Sequence, residues 1–433
     1  MWRPLGTALL LAATTCAQET ATPRWPEDPK QRVRLVREAV NAGSPGIARI
    51  ASLLDDADVN VRRETVKAIV EIGSQYSLVP LLKALTDSDA EVQIRATDGL
   101  VNFYYPGYVK SGLSAVVSRA GELVRAKFRP EADSRVIDSW IEVRPEIING
   151  LGKLLASQSA LEVRVNAARA LGVLRGRGAL TALHEALRSK QTALMFEALQ
   201  ALQKIRDPRS GPAVAFLFRD PEPFIAVAAL ETAGLVRAPE VFPEVEAAFL
   251  RVSEPKTRQA ALQAMAYMGE PRGRKYFLAN LDDKSELMRA AAAEGLGRLR
   301  DPADLPLLAL RFDQERKMPA RLALAFALVL LGRLELDEFA PLRYLQNTLN
   351  SKVWRGVAEG YLEELAREKQ VRTALEGVLS TATREEKLSV VRILGVTGDR
   401  DSAAALQRLS RDPEPVVMQE SVRALRNLNA RLP

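Results

Sequence analysis

Apolar residues recur along the chain at offsets 0, 4, 7, 8 and 11, the spacing that places side chains on one face of an α-helix. Val163, Ala167, Ala170, Leu171 and Leu174 set the pattern. Val61, Thr65, Ala68, Ile69 and Ile72 repeat it, as do Val92, Ala96, Gly99, Leu100 and Phe103. Further copies start at Leu194, Ile225, Thr257, Met288, Ala320, Trp354, Glu386 and Val417. Successive starts are 31, 71, 31, 31, 32, 31, 32, 34, 32 and 31 residues apart. A near-constant period in the low thirties is the mark of stacked helical hairpins, each burying its apolar face against its neighbours.

The polar punctuation keeps the same period. Arg206–Pro208 (RDP), Arg237–Pro239 (RAP), Gly269–Pro271 (GEP) and Arg300–Pro302 (RDP) each follow a stripe. In three of them an acidic residue is set to cap the next helix, and in all four proline takes its first position. A second turn precedes the stripe, as DPEP at Asp220–Pro223 and Asp412–Pro415, DDADV at Asp55–Val59 and DSDAEV at Asp87–Val92. Each unit therefore reads helix, turn, helix, turn. Eleven stripes, with two opening helices in 31–54, predict an all-α, right-handed superhelical solenoid of about 11–12 hairpins. A glycine recurs nine residues after the start, at Gly172, Gly234, Gly297 and Gly395. Glycine inside a helix costs about 1 kcal/mol relative to alanine, so its recurrence predicts close approach of neighbouring helices.

The stretches Glu162–Leu174 (EVRVNAARALGVL), Asp58–Gly73 (DVNVRRETVKAIVEIG) and Glu286–Leu299 resemble the HEAT family, specifically the short HEAT-like repeats named after phycobilisome lyases. The resemblance covers about 31–428. It implies the solenoid and says little of activity. Deoxyhypusine hydroxylases, built of similar repeats, hold iron with several His-Glu pairs, whereas this chain has one, His184-Glu185. His184 is expected on an outer helix, solvated or half-packed.

Composition narrows the chemistry. The chain has one cysteine, Cys16, and one histidine, His184, which excludes an intrachain disulfide and nearly excludes a Cys/His zinc site. No catalytic residue, metal or cofactor is expected. With 61 basic and 54 acidic residues the net charge is +7, mild for 433 residues. The N-terminus reads as a secretory signal, with Arg3, an apolar run and small residues Thr15 and Ala17 before a cut. The expected organisation is a signal over 1–17, a linker over 18–30 and the solenoid over 31–433, interrupted by a repeat-breaking insertion at about 104–150. The mature chain is then periplasmic or secreted with no membrane span. The alternative is a lipid anchor through Cys16.

Candidate binding residues come from two places. Six residues after each stripe start lies a position that could face the concave side: Lys67, Asp98, Arg169, Gln200, Glu231, Gln263, Glu294, Phe326, Gly360, Arg392 and Arg423. Its ends are basic and its middle is not, unlike a nucleic-acid groove, so no nucleic-acid partner is expected. Of these, Lys67, Arg169, Glu231, Glu294, Phe326, Arg392 and Arg423 are the candidate partner contacts. The alternative is that they are solvated side chains with no common ligand. The long step of 71 residues brings in Phe103, Tyr104, Tyr105 and Tyr108 around Pro106-Gly107. It continues as an amphipathic stripe from Leu113 to Phe128, then Trp140, an expected anchor. Tyrosine is enriched at binding surfaces, and such a stripe also packs on its own solenoid. The expected function is a non-catalytic scaffold for a protein partner of unknown identity. Its alternatives are an accessory, chaperone-like lyase subunit and, more weakly, a polyanion binder.

Overall fold

The computed structural model describes residues 25–109 and 135–432. The signal expected at 1–17, Cys16 and the Leu113–Phe128 stripe lie outside the described residues. Among those residues there are 23 α-helices and no strand, and the apolar stripes fall on a row of inner helices. In chain order the row is α1 (Pro29–Val40), α2 (Val59–Ile72), α3 (Ala90–Tyr104), α4 (Leu161–Val173), α5 (Thr192–Ile205) and α6 (Pro223–Leu235). It continues with α7 (Pro255–Met268), α8 (Glu286–Leu299), α9 (Met318–Leu330), α10 (Arg355–Leu365), α11 (Arg384–Thr397) and α12 (Pro415–Arg431). A shorter outer helix separates each consecutive pair, and each inner helix packs on the next. No helix among the described residues is long and apolar enough to cross a membrane.

The recurring glycines set the spacing of the row. A Cβ added at Gly172 would lie 2.8 Å from Cα of Ala201 on the next inner helix. At Gly234 it would lie 2.9 Å from Cα of Ala264, and at Gly297 2.6 Å from Cα of Ala327. At Gly395 it would lie 3.0 Å from Cβ of Ala424. The partner is always the alanine seven residues into the next stripe. Backbone therefore sits against backbone, and any side chain at these glycines would push neighbouring units apart.

A second periodic contact ties unit to unit. Arg62 donates through Nη1 to the Asp56 carbonyl of its own turn, 3.0 Å, and through Nε to the Asp87 carboxylate of the following turn, 2.8 Å. Arg289 repeats this with the Asp283 carbonyl at 2.7 Å and Glu315 at 2.7 Å. Lys387 and Asp412, 2.8 Å apart, make the C-terminal version. The acidic residues of the turns thus accept the backbone amide of the next helix's N-cap residue, two positions on, and receive the basic residue from the stripe before them.

Two expected boundaries are corrected. The first helix starts at Pro29, and of the linker expected at 18–30 the described residues 25–28 are docked on the solenoid. The Trp25 indole donates to Ser52, and Arg32 holds the carbonyls of Pro26 and Glu27. The insertion also ends earlier than expected, because the outer helix of the next hairpin already runs from Pro145 to Ala156. The row is irregular at α10, which touches α9 and α11 and also reaches earlier helices. Tyr361 on α10 stacks on Phe326 of α9 with ring centroids 4.7 Å apart and donates to Glu294 of α8 at 2.5 Å. This helix leans across the C-terminal ends of earlier inner helices instead of simply extending the row.

The backbone contact at Gly297 leads to a direct expectation. Gly297→Ala overpacks the α8–α9 contact and costs about 1–3 kcal/mol. Gly356→Ala, where an added Cβ meets nothing within 4 Å, leaves stability unchanged or raised. Denaturant unfolding of the two variants checks the contrast; equal loss in both would contradict the role of the glycine row.

Candidate functional site: the concave chamber

Four inner helices end in an arginine forced into the left-handed region. Arg175 after α4 has φ 49°, Arg206 after α5 54°, Arg237 after α6 52° and Arg300 after α8 53°. Glycine is the ordinary residue at such a helix end, and Gly269 after α7 takes it with φ 66°. An L-residue there costs about 1–2 kcal/mol. The reason for arginine lies in what the side chains hold. Arg237 pairs with Glu364 on α10 at 2.9 Å, and Arg300 pairs with Glu368 just beyond it. Arg175 donates to the carbonyls of Ile137, 2.9 Å, and Lys204, 3.3 Å. These three side chains reach from the inner-helix ends to other parts of the chain. Arg206 occupies the same slot, and among the described residues its guanidinium has no hydrogen-bond or ion-pair partner; it is exposed and lines a cavity.

Beneath the Arg237 contact is a buried polar cluster. Glu294 accepts from Tyr361 at 2.5 Å, from Gln263 at 3.0 Å and from Arg298 at 3.3 Å. Burial pushes its carboxyl above the usual range despite the Arg298 charge. Arg298 also pairs with Glu364. Burial disfavours the charged form of Glu364, but the hydrogen bond and charge of Arg298, with Arg237, outweigh it and hold its pKa low. Burial, then the charge of Glu294, pushes the neighbouring Tyr267 phenol up to about 12. This network fastens α10 to α6, α7 and α8, and every charge in it is matched within the chain.

Beside it lies an open chamber of about 460 Å³. Its walls come from the ends of α4, α5 and α6 (Leu235), from the 136–140 stretch, from Glu363 on α10 and from α11 and α12. Residues remote in sequence meet here: Asn427 on α12 approaches Asp138 at 3.5 Å. Four basic residues, Arg175, Lys204, Arg206 and Arg431, face two acidic ones, Asp138 and Glu363. Burial, then the nearby positive charge of Arg206, lowers the pKa of Arg175, as expected where cations crowd. Glu231 is hydrogen-bonded to the lining residue Gln203. It is reached by solvent, but the enclosing protein raises its pKa against the hydrogen bond from Gln203.

Several sequence-predicted contacts are placed elsewhere. Phe326 is fully buried beneath Tyr361, and Glu294 is 4% exposed within its network, so neither forms an open groove surface. Both expectations are corrected: α10 covers them. Asp98 and Gln200 are also buried. Arg169 pairs with Glu197, and Arg392 with Glu359 and Glu420, while Lys67 and Arg423 are exposed. Of the eleven concave positions only Gln200 lines the chamber, and Glu231 stands behind the lining residue Gln203, to which it is hydrogen-bonded.

The expected exposed aromatic patch is likewise corrected. Tyr108 is 9% exposed with the Arg135 guanidinium 4.3 Å from its ring centroid. Phe103 and Tyr104 meet edge to face at 5.0 Å, and the Tyr104 hydroxyl accepts from the Arg144 amide at 3.3 Å. Phe103, Tyr104 and Tyr105 are half-buried against the core. These rings join 103–109 to 135–144. Trp140, expected as an anchor, is instead 39% exposed on the chamber wall. His184 is half-packed on its outer helix against Ser210 at 3.1 Å, and burial, then the Arg209 charge, lowers its pKa. Among the described residues no three His, Cys, Asp or Glu side chains group as a metal site would require.

Sequence reasoning missed Arg175, Arg206, Asp138 and Arg431. A signal for Arg206 was present in the turns. The first residue of the RDP, RAP and GEP triplets alternates between arginine and glycine, and only a left-handed position makes those two equivalent.

Stacked two-helix units around a continuous core define an α-solenoid. The HEAT-repeat family model matches residues 26–126, 148–234 and 242–329, more than half of the chain, and the protein belongs to the HEAT-repeat family. No curated protein matches by sequence. Among solved structures, human deoxyhypusine hydroxylase in complex with glycerol is similar at 20% identity, over 66% of this chain and 96% of that one, with a TM-score of 0.27. Escherichia coli YibA is similar at 14% identity, over 72% and 99%, with a TM-score of 0.37. The CpcE–CpcF complex of phycocyanin lyase from Nostoc sp. PCC7120 is similar at 16% identity, over 72% and 98%, with a TM-score of 0.29.

The burial of Tyr108 separates packing from partner contact. Tyr108→Ala is expected to cost about 3 kcal/mol or more, the range of buried aromatic truncations. Lys67→Ala, at an exposed position, stays within about 0.5 kcal/mol of the parent. Thermal unfolding checks the pair; an unchanged melting point for Tyr108→Ala would return that ring to the candidate binding surface.

Proposed function

We propose that this HEAT-repeat protein is an exported, non-catalytic scaffold that holds a polypeptide partner in its concave chamber. The observation that carries the reading is the chamber's construction. Its walls are brought together from six inner-helix regions and one insertion arm, and the adjoining cluster at Glu294, Arg298 and Glu364 holds α10 in place. A pre-formed surface of this kind binds without first ordering its own side chains, which lowers the entropic cost of association. Solenoids present such surfaces without a catalytic constellation. Export is supported by the apolar run and small residues before Gln18.

One experiment tests both parts. A photo-crosslinking amino acid is placed at Glu231 or Trp140, and separately at Leu250 on the outer helix Phe242–Arg251, which is 63% exposed. The full-length gene is expressed in its native cells, and the envelope fraction is irradiated. The reading predicts an adduct of discrete mass at the chamber positions and none at Leu250, on a protein whose N-terminus is Gln18. Adducts at Leu250 alone would overturn the chamber reading. Retention of residues 1–17 would overturn export by signal cleavage, and a diacylglyceryl Cys16 would replace it with the lipid anchor.

A further inference from the structure

We infer that the chamber receives an extended stretch of polypeptide bearing a carboxylate, and that Arg206 is the group that takes the carboxylate. The inference rests on the scaffold reading and names the chemistry the partner must present.

The argument begins with the odd member of a set. Arg175, Arg206, Arg237 and Arg300 share one strained backbone slot at the end of an inner helix. Gly269 shows that glycine serves that slot in this same solenoid. Three of the arginines are accounted for by what they hold: Arg237 and Arg300 take carboxylates, and Arg175 takes two main-chain carbonyls. Every one of those acceptors belongs to a polypeptide. Arg206 carries the same strain and holds nothing among the described residues. Its surroundings do not excuse it, since its charge lies close enough to Arg175 to disfavour that neighbour's charged form. Two guanidinium groups that line one open wall are stabilised by an anion arriving from outside.

The rest of the chamber selects among anions. Its lining carries four basic residues against two acidic ones, so the surplus is positive but not uniform. Asp138 and Glu363 would repel a polyphosphate or nucleic-acid backbone, whose charge is continuous. A peptide has one carboxylate among neutral groups and does not meet that objection. The amide side chains Gln200, Gln203 and Asn427 also line the wall, and amides pair with main-chain N–H and C=O groups alike. Trp140 offers an accessible ring for an apolar neighbour of the carboxylate. A volume of about 460 Å³ suits a short segment rather than a folded domain.

The test uses the backbone logic. Arg206→Gly removes the guanidinium and places in the slot the residue that the slot prefers. A fluorescein-labelled, C-terminally amidated tetrapeptide with a single glutamate among glutamines and its all-glutamine counterpart are titrated against the full-length protein by fluorescence polarisation, with inorganic phosphate as competitor. The expected result is at least tenfold tighter binding of the single-glutamate peptide than of the all-glutamine one. Arg206→Gly should lose at least tenfold in affinity for the single-glutamate peptide while melting at the parent temperature or above. Arg206→Lys should fall between, keeping the charge without the planar fork. Equal binding of the two peptides, absence of binding by the single-glutamate peptide, or unchanged affinity in Arg206→Gly would overturn the inference. So would earlier melting of Arg206→Gly, which would make Arg206 a structural clamp, or displacement of the peptide by equimolar phosphate, which would make the site a simple anion hole. If Arg206→Gly still forms the Glu231 crosslink in the envelope, the carboxylate assignment fails and the scaffold reading stands.

Discussion

The contact of a helix glycine with the alanine of the next inner helix governs this molecule. At Gly297 the approach leaves no room for even a methyl group, with Cα of Ala327 only 2.6 Å from where a Cβ would sit. Glycine is a poor helix former, so the local sequence works against its own helix and tertiary packing must offset the loss. Because the same contact recurs at Gly172, Gly234 and Gly395, the inner helices are drawn together more tightly than leucine-on-leucine packing would allow. A row compressed on its inner side brings elements far apart in sequence within reach of one another, as Asn427 and Asp138 are.

That proximity creates the second level of structure. The ends of α4, α6 and α8 carry arginines whose side chains cross to the insertion arm, to α10 and just beyond it. Left-handed arginine is a local conflict, and the ion pairs across the concavity resolve it. A buried pair such as Arg298–Glu364 adds little net stability over apolar packing, but it is unforgiving of a wrong partner. The cluster therefore determines where α10 lies more than how tightly it is held. The chamber is the space left beside that helix.

Much of this was legible in the chain. The stripes from Val61 to Val417 mark the inner helices, and the recurrence of Gly172 at Gly234, Gly297 and Gly395 points to the close contact later found there. These are local patterns repeated many times, so each copy checks the others. The site was legible only in part, because it depends on where the row is irregular. Periodicity places Phe326 and Glu294 on the concave face, and nothing in it says that Tyr361 will cover them. The tyrosines beside Pro106-Gly107 read as a surface because the break in the repeat was visible but the return of Arg135 and Arg144 to meet them was not. Trp140 erred in the opposite direction, read as an anchor and found on the chamber wall. Arg206 was visible as punctuation; its significance needed the sign of φ.

The claim on which all of this depends is that the concavity is closed on itself by contacts between the ends of the inner helices and the α10 region. Nitroxide labels at Arg300→Cys and Glu368→Cys in the full-length protein, with Cys16 replaced by serine, measure it directly by double electron–electron resonance. Replacing this exposed ion pair leaves the Arg237 and Arg298 contacts to Glu364 in place. The account predicts one narrow distance distribution at the short end of the measurable range. A broad distribution at long distance would mean that the solenoid is open in solution, and the chamber with it.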